Sequence, residues 1–189
     1  MKPAVQTPAP VVNVANGLTL LRIVLIPVFV VLMVASGMTE PGYRIGAAFA
    51  FGIASLTDFA DGWLARSMNQ VTPFGQIADP IADKALTGTA LVLLSIYDAL
   101  PWWVTIVIMV REIGVTLLRF WVIRHGVIPA SRGGKLKTTL LIAAISWYIW
   151  PFTGALAAVG PWIMALAFVV TVVTGVDYVR RALRVRAGK

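Results

Sequence analysis

Long apolar runs separated by short polar or proline-marked breaks dominate the chain. They predict six helices, at about 18–37, 43–66, 73–97, 101–124, 136–156 and 160–181, each near the ~20 residues needed to cross a bilayer. Pro101, Pro129 and Pro161 stand near the junctions, and Thr72-Pro73 suits an N-cap followed by proline at the first position of helix three. Pro80, inside that helix, removes one backbone donor and is expected to loosen the ladder locally. Residues 1–12 are rich in proline and read as a disordered lead-in; 13–189 form one domain without an internal repeat. Val34-Ala35-Ser36-Gly37 mimics a signal-peptidase site, but the preceding run is long for a signal core and Arg22 interrupts it. The run therefore reads as the first transmembrane helix.

Composition supports a membrane setting. Of 189 residues 59% are apolar, and the mean hydropathy of +0.85 is too high for a soluble globule. There is no cysteine, which excludes disulfides, thiolate metal sites and thiol nucleophiles. The expected fold is all-α, a polytopic membrane protein with six transmembrane helices. Lys2, Arg66, Arg124, Arg132, Lys135, Lys137, Arg180, Arg181, Arg184, Arg186 and Lys189 would fall on one side, against Arg44 alone on the other, so both termini are expected in the cytoplasm. The formal charge of +8 then reflects loops facing anionic lipid, with no nucleic-acid partner implied. The tryptophans and the basic C-terminal run read as interface anchors, and His125 as a surface residue.

Against this background one stretch is unusual. Four of the eight acidic residues lie between Asp58 and Asp83, in the pattern D-x2-D-G-x2-A-R-x8-G-x3-D-x3-D. Helical periodicity puts Asp58, Asp61, Gly62 and Ala65 on one face, and Gly75, Asp79 and Asp83 on one stripe of the next helix. Only Arg66 and Lys84 lie nearby in sequence to offset the charge. Unpaired carboxylates in an apolar setting are costly, and a divalent cation or a pair of them resolves the repulsion. With oxygen ligands only, the expected ions are Mg²⁺ or Mn²⁺. Two such ions suit in-line displacement at phosphorus, here on a lipid-linked diphosphate reached from the cytoplasm. Asp83 is the best placed to take a proton from an attacking alcohol. The small Gly62, Ala65 and Gly75 allow close approach of a ligand, although small residues also serve ordinary helix packing.

A second constellation is basic. Arg111 and Glu112 sit near the middle of an apolar run, where charge implies either function or a buried ion pair. Arg119 follows, and Ser131-Arg132-Gly133-Gly134-Lys135-Leu136-Lys137-Thr138 reads as a basic cytoplasmic loop. Together these cations could line the site of an anionic second substrate, most simply a phosphate.

The Asp58–Asp83 pattern resembles, at every fixed position, the signature of the CDP-alcohol phosphatidyltransferase family. The resemblance implies a six-helix fold, a homodimer, and Asp58, Asp61, Asp79 and Asp83 as ligands of two divalent ions on the diphosphate of a CDP-linked lipid. It implies that Gly62, Ala65, Arg66, Thr72 and Gly75 line the CDP pocket and that Asp83 is the general base, CMP being the leaving group. Asn16-Gly17-Leu18-Thr19-Leu20-Leu21-Arg22, Ile26-Pro27, Arg111-Glu112-Ile113, Arg119 and Gly134-Lys135-Leu136-Lys137-Thr138 are similar to the bacterial branch whose donor is CDP-diacylglycerol and whose acceptor is glycerol 3-phosphate. In that branch Arg111, Arg119, Lys135 and Lys137 would grip the acceptor phosphate, at the cytoplasmic face of the inner membrane. Ala15 departs from it, since proline is usual before the asparagine. Rival readings are an inositol phosphate acceptor, an aspartate-rich membrane prenyltransferase, and a divalent-cation transporter.

Overall fold

A computed structural model describes residues 14–67, 73–122 and 132–186; the side chains of 14–16, 59–67, 73–77, 119–122, 132, 185 and 186 lie outside the description. The N-terminal lead-in assigned to 1–12 and the junction residues Thr72, Arg124 and Pro129 fall outside it as well. Every regular element among the described residues is a helix. Six are long: α1 (Val14–Ser36), α2 (Pro41–Ser67), α3 (Pro73–Ile96), α4 (Trp102–Val122), α5 (Arg132–Ile149) and, after the single turn α6 (Gly154–Ala157), α7 (Gly160–Arg186). Two stretches are apolar and long enough to cross a membrane, Gly17–Ser36 and Gly154–Arg184. The other long helices carry the charged residues discussed below, which lower their hydropathy without shortening them.

The chain forms two compact units, Met1–Thr87 and Gly88–Lys189, with the boundary inside α3. In the first unit α1 and α2 make an antiparallel hairpin. Gly37 ends α1 in the left-handed region at φ +48°, followed by Met38 at +60°, and Ser36 C=O accepts from the amides of Thr39 and Glu40. Pro41 then opens α2, where its missing N–H costs nothing. Along α2, Gly46, Ala47, Ala50 and Ala54 are small, which brings α1 close enough for Phe29 to meet Phe51 at 5.6 Å between ring centroids. Phe29, Met33, Phe51 and Ala54 are fully buried and form the core of this unit. α3 begins at Pro73 and runs on through Pro80.

In the second unit, α7 packs against both α4 and α5. Trp103 of α4 meets Phe168 of α7 edge to face, and Trp147 of α5 donates from Nε1 to Leu156 C=O. The part of α3 that belongs here is tied to α4 by Ser95 and Thr105, whose hydroxyls are 2.7 Å apart.

Two expectations need correction. The fifth helix starts at Arg132, not near 136, so Lys135 and Lys137 belong to its first turns and not to a loop. It also stops at Ile149, not near 156, because Pro151 cannot continue the ladder and restricts the residue before it; the chain turns into α6 instead.

Candidate active site

The first unit contains three of the four aspartates with described side chains. Asp58 lies on α2, four turns beyond Arg44; Asp79 and Asp83 lie one turn apart on α3. Each meets a different side chain. Arg22 of α1, whose side chain is 0% exposed, places Nη1 2.9 Å from Asp58 Oδ1. Thr19, one turn earlier on the same face of α1, donates its hydroxyl to Asp79 Oδ1 at 2.6 Å. Lys84 Nζ stands 3.2 Å from Asp83 Oδ2, and Thr87 donates back to Asp83 C=O. One face of α1 therefore holds a carboxylate from each of the two following helices. An ion pair and a hydrogen bond from α1 thus restrain the two carboxylates.

Charge compensation also differs from the sequence reading, which offered only Arg66 and Lys84. Arg22 is a third cation, fully buried and supplied from α1. A charged residue within an apolar run requires a partner, and that signal was present in the sequence. Thr19 gave no such signal. Among the described residues, no three or more His, Cys, Asp or Glu side chains are gathered closely enough to hold a metal ion. Asp61, Gly62, Ala65 and Arg66 belong to α2 and Gly75 to the first turn of α3, but their surroundings lie outside the described side chains; Thr72 lies wholly outside.

The second unit contains the basic cluster. Glu112 of α4 is buried, and its Oε1 accepts from Arg111 Nη1 at 2.7 Å and from Lys137 Nζ of α5 at 2.6 Å. Two cations thus converge on one carboxylate oxygen, a triad with a net charge of one. Arg111 is also held by α7: Nε donates to Thr171 C=O at 3.0 Å and Nη2 to Thr174 Oγ1 at 2.9 Å. Gly175 leaves room for the arginine stem. Sequence reasoning missed this α7 contribution, because Thr171, Thr174 and Gly175 are unremarkable residues in an apolar helix. Lys135 is exposed on α5, apart from the triad, and the side chain of Arg119 is not described. Beside Arg111, a groove of about 510 Å³ opens between α4 and α7, lined by Ile106, Val110, Gly114, Val176 and Arg180 among others. Its aliphatic walls suit hydrocarbon better than a charged acceptor.

The described residues thus comprise a set of carboxylates in one unit and a cluster of two cations on Glu112 in the other. Residues 12–173 match the family model described as CDP-alcohol phosphatidyltransferase. The chain belongs to the CDP-alcohol phosphatidyltransferase family. Among members of this family, a "Probable phosphatidylglycerophosphate synthase" of Mycobacterium tuberculosis is 51% identical over 176 residues, covering 93% of this chain and 84% of the relative. A "CDP-diacylglycerol--glycerol-3-phosphate 3-phosphatidyltransferase" of Bacillus subtilis is 43% identical over 144 residues, covering 71% and 75% of the two chains. One of the same name from Escherichia coli is 39% identical over 144 residues, covering 73% and 77%. As a phosphatidyltransferase the chain is an enzyme of lipid metabolism.

Proposed function

We propose that the chain transfers the phosphatidyl group of CDP-diacylglycerol to glycerol 3-phosphate, yielding phosphatidylglycerophosphate and CMP. The observation that carries this reading is the pairing of the complete aspartate pattern with similarity, over most of the chain, to relatives named for that donor and acceptor. Asp58, Asp61, Asp79 and Asp83 would hold two Mg²⁺ or Mn²⁺ ions, which, when bound, neutralise the diphosphate and favour departure of CMP. The all-oxygen donor set suits these ions. Arg22 and Thr19 restrain Asp58 and Asp79 before any ligand arrives.

The chain's own residues would then divide the work. Gly62, Ala65, Arg66, Thr72 and Gly75 line the cytidine diphosphate pocket, the small residues permitting close approach and Arg66 meeting a phosphate. Arg111, Arg119, Lys135 and Lys137 receive the phosphate of glycerol 3-phosphate. Asp83 accepts the proton of the acceptor hydroxyl as its oxygen bonds to the lipid-linked phosphorus, and the bond from that phosphorus to the CMP oxygen breaks. Six helices spanning the bacterial inner membrane, with both termini and the reaction on the cytoplasmic side, fit the distribution of basic residues. Assembly as a homodimer is carried over from the family.

The test is CMP release by the detergent-solubilised chain with CDP-diacylglycerol and Mg²⁺ or Mn²⁺, comparing glycerol 3-phosphate, inositol phosphate, inositol and serine. Turnover with glycerol 3-phosphate is expected, lost by a factor of roughly 10²–10⁴ in Asp83→Asn. Turnover with inositol phosphate in its place would overturn the acceptor, and metal flux without CMP release would overturn the enzyme.

A further inference from the structure

We propose that Thr174 and Gly175 of α7 are positioning residues for the acceptor, acting through Arg111. The proposal rests on the acceptor role given to Arg111 above. A free arginine side chain loses rotamer freedom when fixed, so a phosphate meeting an untethered Arg111 would bear that cost. Here the cost is met on folding. Three of the five guanidinium N–H bonds are committed, to Thr171 C=O, Thr174 Oγ1 and Glu112 Oε1. One N–H on each terminal nitrogen lies outside these bonds, and guanidinium donors suit the oxygens of a phosphate.

The α7 seat has a built-in polarity. Thr174 donates its own hydroxyl proton to the backbone, with Val170 C=O 2.7 Å away, so its lone pairs are left to accept from Arg111. Its branched side chain restricts the rotamer that makes this possible. Gly175 fixes the approach. A methyl group there would stand 2.9 Å from Arg111 Cγ and 3.1 Å from Nε, closer than side-chain carbons pack, and the stem that carries the guanidinium would have to move. Both features act on the direction of one side chain. Neither is required for α7 to be a helix.

The test measures KM for each substrate separately in CMP release by the whole 189-residue chain. Thr174→Val and Gly175→Ala are each expected to raise the KM for glycerol 3-phosphate about tenfold, as for a weakened hydrogen bond to a charged group, with the KM for CDP-diacylglycerol unchanged. Thr174→Ser keeps the hydroxyl and is expected to stay within about twofold of the parent. Arg111→Gln separates the two levels of the argument. If it raises the KM for glycerol 3-phosphate while Thr174→Val and Gly175→Ala do not, the seat is overturned and the acceptor role stands. If Arg111→Gln leaves that KM unchanged, the acceptor role fails and the proposal with it. Equal rises for both substrates, unrescued by Thr174→Ser, would reduce the seat to general packing and overturn it.

Discussion

In the first unit the described anions are spread along two helices and each meets a different side chain: Arg22 at Asp58, Thr19 at Asp79, Lys84 at Asp83. In the second, Arg111 and Lys137 converge on the single oxygen Glu112 Oε1, and Arg111 is tied again to α7. The three described carboxylates, with Arg22 and Lys84 beside two of them, retain one net negative charge spread over two helices. Cations gathered on one carboxylate are largely neutralised, and what they retain is geometry and one net charge. The two sets therefore differ less in net charge than in arrangement: one spreads its charge along two helices, and the other focuses two cations on a single oxygen.

The largest expected effect tests the first half. Arg22→Met removes a fully buried cation and leaves Asp58 without its partner on α1. Breaking a buried pair costs about 3–5 kcal/mol. At roughly 2–4 °C per kcal/mol for a chain of this length, the thermal midpoint in detergent should fall by about 10 °C, and CMP release should fall with it. Arg22→Lys should recover part of both. An unchanged midpoint in Arg22→Met would show that α1 is not what holds Asp58.

Within the triad, the stoichiometry of two cations to one carboxylate gives an asymmetry. Glu112→Gln leaves two cations, the buried Lys137 and the half-buried Arg111, facing a neutral amide and should lower the midpoint more than Lys137→Met, which leaves Arg111 and Glu112 as a matched pair. Lys137→Met should instead raise the KM for glycerol 3-phosphate. The reverse order of stabilities in a melting series would show that Lys137, not Glu112, organises the cluster.

Two smaller effects sharpen the contrast. Thr19→Val deletes a hydrogen bond to a carboxylate, worth about 1.5–3 kcal/mol, and should shift the Mg²⁺ dependence of CMP release to higher concentration. In the second unit, Thr171 is fully buried and its hydroxyl has no hydrogen-bond partner among the described residues. Thr171→Val keeps the shape and the carbonyl that Arg111 uses, and should raise the midpoint by a degree or two.

These contrasts also explain what the sequence disclosed. The aspartates were legible because a fixed helical spacing and a charge in an apolar run are both local signals. The helices were legible for the same reason, down to Pro73 as the start of the third, although α2 begins at Pro41 and not near 43. Arg22 was visible as an anomaly but not as a partner of Asp58, 36 positions away, because pairing depends on how α1 and α2 pack. The α7 seat was invisible: Thr174 and Gly175 carry no charge and no period, and their meaning comes only from meeting Arg111. The basic residues from Arg132 to Lys137, expected in a loop, lie in the first turns of α5, where Lys137 reaches Glu112 and Lys135 stays exposed.

The central claim is a division of labour, with the aspartate unit serving the metal-bound donor and the basic unit serving the acceptor. The most direct test compares Thr19→Val with Lys137→Met in CMP release while CDP-diacylglycerol, glycerol 3-phosphate and Mg²⁺ are varied one at a time. The account predicts that Thr19→Val moves the Mg²⁺ dependence and leaves the KM for glycerol 3-phosphate in place, whereas Lys137→Met does the opposite. Both variants moving the same parameter would contradict it.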